Sequence, residues 1–196
     1  GVRYRIIPDR IETGTLMIAA AISGGELLIE GARPEHLGAV IDKLSEADVK
    51  IEKWNGTLRV RATDPVRSVD VTTLPFPGFP TDLQAQMMAL MAVARGVSVV
   101  TEQVYPERFM HIAELNRMGA RVTREGASAV IKGVPRLSGA PVVGSDLRAS
   151  AALILAGLAA AHRTQVEGIE HLDRGYQGLE QQLARAGANV RRISGA

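Results

Sequence analysis

"PTDLQAQMMALMAVARG", Pro80 to Gly96, sets one aspartate, Asp82, directly ahead of an apolar helical run that closes on glycine. An aspartate at that place is a common helix N-cap, because its carboxylate accepts backbone N–H groups that lack partners in the first turn. The same arrangement occurs twice more, in "PDRIETGTLMIAAAISGG" at Asp9 and "SDLRASAALILAGLAAA" at Asp146. Three copies of one local design point to an internal repeat, which dictates fold class before any single element does.

The segments after each copy repeat as well. A β-branched run comes next, "ELLIEG", "SVVTEQV" and "TQVEGIE", and its partial alternation predicts a strand. A second helix is expected over "PEHLGAVIDKLSEAD", "PERFMHIAELNRMG" and "DRGYQGLEQQLARAG", the last two closing on Gly119 and Gly187. Strands resume at "VKIEKW", "ARVTRE" and "NVRRIS". The first two return through Asn55-Gly56 into "TLRVRA" and through Gly126-Ala127 into "SAVIKG", both of them short hairpin signals. An extra strand is expected before each aspartate, in "VRYRII", "SVDVTT" and "APVVG". The chain is therefore expected to be α/β, with three β-α-β-α-β-β repeats at about 1–65, 66–138 and 139–196. The third repeat ends before any return strand, so the 196 residues read as part of a larger protein.

Composition narrows the function classes. A chain that is 46% hydrophobic buries a real core, and its longest apolar run, Ala149 to Ala161, is shorter than the roughly 20 residues that span a bilayer. No membrane partner is expected. With 19 arginines but a net charge of only +2, no nucleic-acid surface is expected either. No cysteine is present, and His36, His111, His162 and His171 show no ligand spacing, so no metal site is expected; no cofactor of another kind is expected. A cytoplasmic location fits this cysteine usage.

The repeats carry a family resemblance. "FPTDLQAQ", "ERFMHIAELNRMGA", "LSGAPVVGSDLRASAALILAG" and "HLDRGYQGLEQQLARAGANVRRI", with "PDRIETGTLMIAAAISGG" near the start, resemble the enolpyruvyl transferases, and the sugar-nucleotide branch in particular. The resemblance implies an inverse α/β barrel of the enolpyruvyl transferase type, with three units around a pseudo-threefold axis. It also implies one half of a two-domain enzyme, whose active site lies between this half and a second catalytic domain outside the chain, and whose third unit is completed by a short N-terminal strand. The implied reaction moves the enolpyruvyl group of phosphoenolpyruvate onto the 3-hydroxyl of UDP-N-acetylglucosamine and releases phosphate. That is the first committed step of peptidoglycan synthesis, and hence of cell-wall growth, cell shape and division. The family's reactive cysteine, with a lysine, an asparagine and further arginines, belongs to regions outside this chain, so the chain alone is expected to be inactive. The alternatives are the shikimate-pathway branch, whose motifs match less well, and a non-catalytic binding module.

Two readings of Asp82 stand side by side. Its recurrence with Asp9 and Asp146 predicts a cap. The resemblance implies a sugar-nucleotide contact and a general base toward the 3-hydroxyl, held by the stiff approach Pro75-Phe76-Pro77-Gly78-Phe79-Pro80. Arg148 and Arg174, in "SDLRASA" and "HLDRGY", match the family's phosphoenolpyruvate motifs, and a guanidinium fork suits carboxylate or phosphate. Arg108 is the second unit's counterpart and is expected to bind substrate, to order its loop or to pair with Asp146, which the resemblance also places among the substrate-binding residues. Val104 matches a position whose backbone meets the nucleotide. Tyr105-Pro106-Glu107 departs from the family's more frequent Phe-Glu-Asn. His111 lies on an apolar face with Phe109 and Leu115 and reads as packed, and Met87, Met88 and Met91 read as core.

Overall fold

The computed structural model describes residues 1–62 and 65–193. In the first unit α1 (Arg10–Ile22) leads to β1 (Glu26–Ile29), then to a 3-10 turn (Pro34–His36) and α2 (Gly38–Glu46), and finally to the hairpin β2 (Lys50–Trp54) and β3 (Thr57–Arg61). The sheet order is β1-β3-β2, antiparallel throughout. Asp9 caps α1 by accepting the N–H groups of Ile11 and Glu12 at 2.7 and 3.4 Å. Gly24 ends the helix with positive φ, and Gly25 N–H donates to Ala20 O at 3.0 Å, the Schellman closure that a glycine permits.

The second unit is the most complete. It contains β4 (Val71–Thr73), a 3-10 turn (Thr81–Leu83), α3 (Gln84–Ala92), β5 (Val97–Glu102), α4 (Ile112–Arg117), β6 (Arg121–Glu125) and β7 (Ser128–Lys132). Its sheet runs β4-β5-β7-β6, with β4 and β5 parallel across the intervening α3 and the other pairs antiparallel. The third unit has β8 (Leu137–Ser138), β9 (Pro141–Val143), α5 (Leu147–Ala159), β10 (Ala160–Ala161), β11 (Gln165–Glu167), a 3-10 turn (Ile169–Arg174) and α6 (Leu179–Arg185). Here β9 and β11 form the parallel pair around α5, as β4 and β5 do around α3, while β8 pairs with β10.

The first helices of the three units, α1, α3 and α5, pack against one another, and every residue of α3 is buried. That burial explains why "QAQMMALMA" carries no apolar stripe: a helix enclosed on all sides needs no polar face. One side position repeats with the units. Thr13, Gln86 and Ser150, each four residues beyond the unit's aspartate, donate to that aspartate's carbonyl at 2.8, 3.0 and 2.9 Å.

Several expected elements differ. "VRYRII" forms no strand, and residues 2–7 are exposed. Residues 189–193 of "NVRRIS" form no strand either, and Ser194 to Ala196 lie outside the described residues. A strand requires a ladder partner. Among the described residues β11 pairs only with β9, and beside it lies an open groove of about 1180 Å³ lined by Ile154, Leu158, Val166, Leu172 and Val190. The second helices are shorter than their sequence windows. In the third unit Gly178, at φ 62, interrupts the helix between the 3-10 turn and α6.

Candidate functional site

Asp82 begins where its counterparts do but ends differently. Thr81–Leu83 forms a 3-10 turn closed by Leu83 N–H on Pro80 O at 3.0 Å, and α3 starts only at Gln84. No side chain caps this turn or the helix after it, so the cap expected at Asp82 is not made. The carboxylate turns outward to two arginines instead. Arg148 Nε donates to Asp82 Oδ1 at 2.5 Å, and Arg108 Nη1 reaches the same oxygen at 3.3 Å. Charge-assisted bonds of this kind are roughly twice as strong as neutral ones, so two guanidiniums outcompete the backbone N–H groups that Asp9 and Asp146 serve.

Close packing of the core fixes this turn. Leu83 is fully buried, and a Cβ at Gly14 of α1 would lie 2.3 Å from Leu83 Cδ1. Glycine at position 14 thus lets the Asp82 turn sit against α1. The preceding loop keeps its ends together, Leu74 N–H donating to Phe79 O at 3.0 Å and Gly78 N–H to Pro75 O at 2.8 Å.

Arg108 is held from three sides. Its Nη1 donates to Thr81 Oγ1 at 2.7 Å, its guanidinium lies 5.0 Å from the Tyr105 ring centroid, and its carbonyl accepts from Gln84 Nε2 at 3.1 Å. The expected pairing with Asp146 is not formed, because the Asp146 carboxylate caps α5, accepting from the N–H groups of Arg148 and Ala149 at 2.7 and 3.1 Å. Arg148, in the first turn of α5, therefore has its backbone set by Asp146 while its side chain spans to Asp82. Glu107 of the divergent triplet pairs with Arg124 at 2.9 Å.

Val104 lies just past β5. Its N–H donates to Glu102 Oε1 at 2.9 Å. Arg174 ends the 3-10 turn at Ile169–Arg174, is exposed, and joins no ion pair among the described residues. The next residue, Gly175, comes close to Leu147 at the start of α5: a Cβ there would lie 3.1 Å from Leu147 Cδ1. The structure thus brings Asp82, Arg108 and Arg148 into direct contact, sets Asp146 beneath Arg148, and leaves Arg174 on the adjoining segment with no hydrogen bond or ion pair to them among the described residues.

Sequence reasoning missed Glu102 and Thr81. Glu102 is fully buried in β5 and accepts hydrogen bonds from Thr73, Thr81, Val104 and Tyr105. Its signal was present: Ser98, Val100 and Glu102 occupy the inward register of an alternating strand, where a carboxylate is out of place unless it is bonded. A second buried cluster joins the three units, with Thr15 Oγ1 2.8 Å from Tyr176 Oη and Gln86 Nε2 donating to both. Burial pushes the Tyr176 phenol up. His111 is packed as expected, 3.2 Å from Met88 Sδ, and burial lowers its pKa to about 4.

Comparison with known proteins gives three findings. Residues 1–183 match the family described as EPSP synthase (3-phosphoshikimate 1-carboxyvinyltransferase). Curated relatives include UDP-N-acetylglucosamine 1-carboxyvinyltransferases of Gluconacetobacter diazotrophicus, 56% identical over 98% of this chain, and of Myxococcus xanthus, 53% identical over 97%. The chain spans 46% of the length of each. Among solved structures, the enolpyruvyl transferase NikO from Streptomyces tendae superimposes with a TM-score of 0.86 at 31% identity, covering 95% of this chain and 44% of that one. EPSP synthase from Acinetobacter baumannii shares the fold, with a TM-score of 0.71 at 19% identity over 97% of this chain and 45% of its own.

Proposed function

The chain belongs to the EPSP synthase (3-phosphoshikimate 1-carboxyvinyltransferase) family, and from that premise we propose that it is one half of a UDP-N-acetylglucosamine 1-carboxyvinyltransferase. The choice of branch rests on curated relatives of that name at 52% to 56% identity across nearly the whole chain. The observation that carries the site is the Asp82 carboxylate, released from capping and held by Arg148 and Arg108.

In this reading the sugar 3-oxygen bonds to C2 of phosphoenolpyruvate, the bond from C2 to the phosphate oxygen breaks, and inorganic phosphate leaves. The hydroxyl proton passes to Asp82 and leaves with the phosphate, which restores the carboxylate. C3 takes up a proton as the new C2–O bond forms and gives one up as phosphate departs, so that the double bond is regenerated. Arg148, Arg108 and Arg174 face the phosphate and carboxylate charges, and the start of α5 adds its positive dipole end. An arriving anion competes with Asp82 for the two arginines, so substrate binding itself frees the carboxylate to take a proton. Val104 offers its carbonyl to the sugar nucleotide. The second catalytic domain supplies the rest of the site, and the reaction serves peptidoglycan synthesis in the cytoplasm.

The test is phosphate release by the full-length enzyme that contains this chain. UDP-N-acetylglucosamine with phosphoenolpyruvate is expected to release phosphate steadily, and shikimate 3-phosphate with phosphoenolpyruvate is not. Turnover with the shikimate compound alone would move the protein to the other branch, and turnover with neither would remove the assignment.

A further inference from the structure

Glu102 presents a chemical problem that the proposed reaction does not use. Its side chain is fully buried, and an ionised carboxylate taken from water is costly unless hydrogen bonds and charge compensate it. Four donors surround it. Oε1 accepts from Thr73 Oγ1 at 2.5 Å and from the N–H groups of Val104 and Tyr105, both at 2.9 Å, while Oε2 accepts from Thr81 Oγ1 at 2.8 Å. All four are neutral, and among the described residues no cation touches the carboxylate.

The compensating charge lies one hydroxyl away. Thr81 Oγ1, which donates to Glu102, also accepts from Arg108 Nη1 at 2.7 Å. A hydroxyl has one proton and two lone pairs. With its proton committed to Glu102, Thr81 can only present a lone pair to Arg108, and the guanidinium is thereby held where it also reaches Asp82 at 3.3 Å. The same carboxylate ties together the strands and turns that carry the site. Thr73 ends β4 just before the proline-rich loop, Thr81 comes after that loop and precedes Asp82, and Val104 and Tyr105 form the turn after β5. Tyr105 in turn lies beneath Arg108.

We propose that Glu102 is a positioning residue for the reaction: through Thr81 it fixes Arg108 against Asp82, and through the backbone of Val104 and Tyr105 it shapes the edge that receives the sugar nucleotide. This role rests on the proposed function. A carboxamide at position 102 keeps the volume but turns an N–H group toward one of the donors. Oε1 receives three of them, so the amide oxygen takes that side and the amide N–H meets Thr81. Thr81 then points its own proton outward, against Arg108.

The experiment uses the full-length enzyme and compares kcat/KM with thermal stability. Glu102→Gln and Thr81→Val are each expected to lower kcat/KM about 10- to 100-fold, the scale on which misplacing a catalytic group by about an ångström acts. Thr81→Ser, which keeps the hydroxyl, is expected to stay within about threefold of wild type. The double variant Glu102→Gln/Thr81→Val is expected to fall no further than Glu102→Gln alone, because both act through one relay. Thr73→Val removes a donor on Oε1, away from Thr81, and the acceptor of the Gln103 N–H, so it is the control for the Thr81–Arg108 relay: its melting temperature is expected to fall and its loss of kcat/KM to be smaller than that of Thr81→Val. Additive losses in the double variant, an equal loss in Thr73→Val, or a Glu102→Gln enzyme that matches wild type would each overturn the role. If Glu102→Gln does not fold, the Thr81 pair decides alone, and a Thr81→Val enzyme that matches wild type overturns the role. Failure of the wild-type enzyme to use this substrate pair is a separate result, which removes the proposed function and this role with it.

Discussion

Arg148 Nε donates to Asp82 Oδ1 across 66 residues of chain, joining the second repeat to the first turn of α5 in the third. The contact takes the place of the helix cap that Asp82 does not make. Asp9 and Asp146, at equivalent places in the other repeats, do.

That difference separates two kinds of aspartate by experiment. Asp9→Ala is expected to cost about 0.5 to 2 kcal/mol, the range for a lost N-cap, and Asp9→Asn much less because asparagine caps as well as aspartate. Denaturant unfolding of the two variants checks this. Equal losses in both would mean that the charge of Asp9, and not its capping, matters.

Arg174 is exposed and free of ion pairs among the described residues, so its replacement carries little structural cost. Arg174→Ala in the full-length enzyme is expected to shift stability by no more than about 0.5 kcal/mol. It should raise the KM for phosphoenolpyruvate about tenfold, as for loss of one charged hydrogen bond, and the KM for the sugar nucleotide far less. Steady-state kinetics in both substrates decide it, and equal effects would remove Arg174 from the phosphoenolpyruvate side.

Gly14 tests the packing beneath the site. Alanine favours a helix over glycine by about 0.8 to 1.0 kcal/mol, yet its Cβ would lie 2.3 Å from the buried Leu83 Cδ1, and overpacking costs about 1 to 3 kcal/mol. Gly14→Ala is expected to be net destabilising and to lower turnover by displacing the Asp82 turn. A stabilised and fully active variant would show that Leu83 moves aside freely.

His111 gives a pH signature. Burial lowers its pKa from the ordinary 6.5 to about 4, so between those values the unfolded chain binds a proton that the folded chain does not. The stability from neutral His111 is complete above about pH 6.5 and is lost as pH falls toward 4. His111→Leu is expected to flatten stability against pH in that window relative to wild type. Parallel curves for the two proteins would contradict the burial account.

Much of this fold was legible because its signals are local. The Asp-led helices, the glycine closures after α1, α4 and α6, and the hairpins at Asn55-Gly56 and Gly126-Ala127 each depend on a few adjacent residues. Strand expectations failed at residues 2–7 and 189–193 because β-branched residues alone form no ladder, and pairing depends on what lies alongside. The resemblance named Asp82, Arg108 and Arg148 one by one, but the contacts that join them were not legible in the sequence. Whether an aspartate caps or pairs is decided by Arg108 and Arg148, both distant in sequence, and Glu102 becomes conspicuous only once β5 shows which way it faces.

The central claim is that this half contributes the carboxylate that takes the proton from the sugar hydroxyl. It is tested most directly by phosphate release from UDP-N-acetylglucosamine and phosphoenolpyruvate, both saturating, by the full-length enzyme and its Asp82→Asn variant. The account predicts a folded variant whose turnover is lower by about 10²- to 10⁴-fold, the range for a lost general base. Turnover within about threefold of wild type would contradict it and leave Asp82 as a partner for two arginines and nothing more.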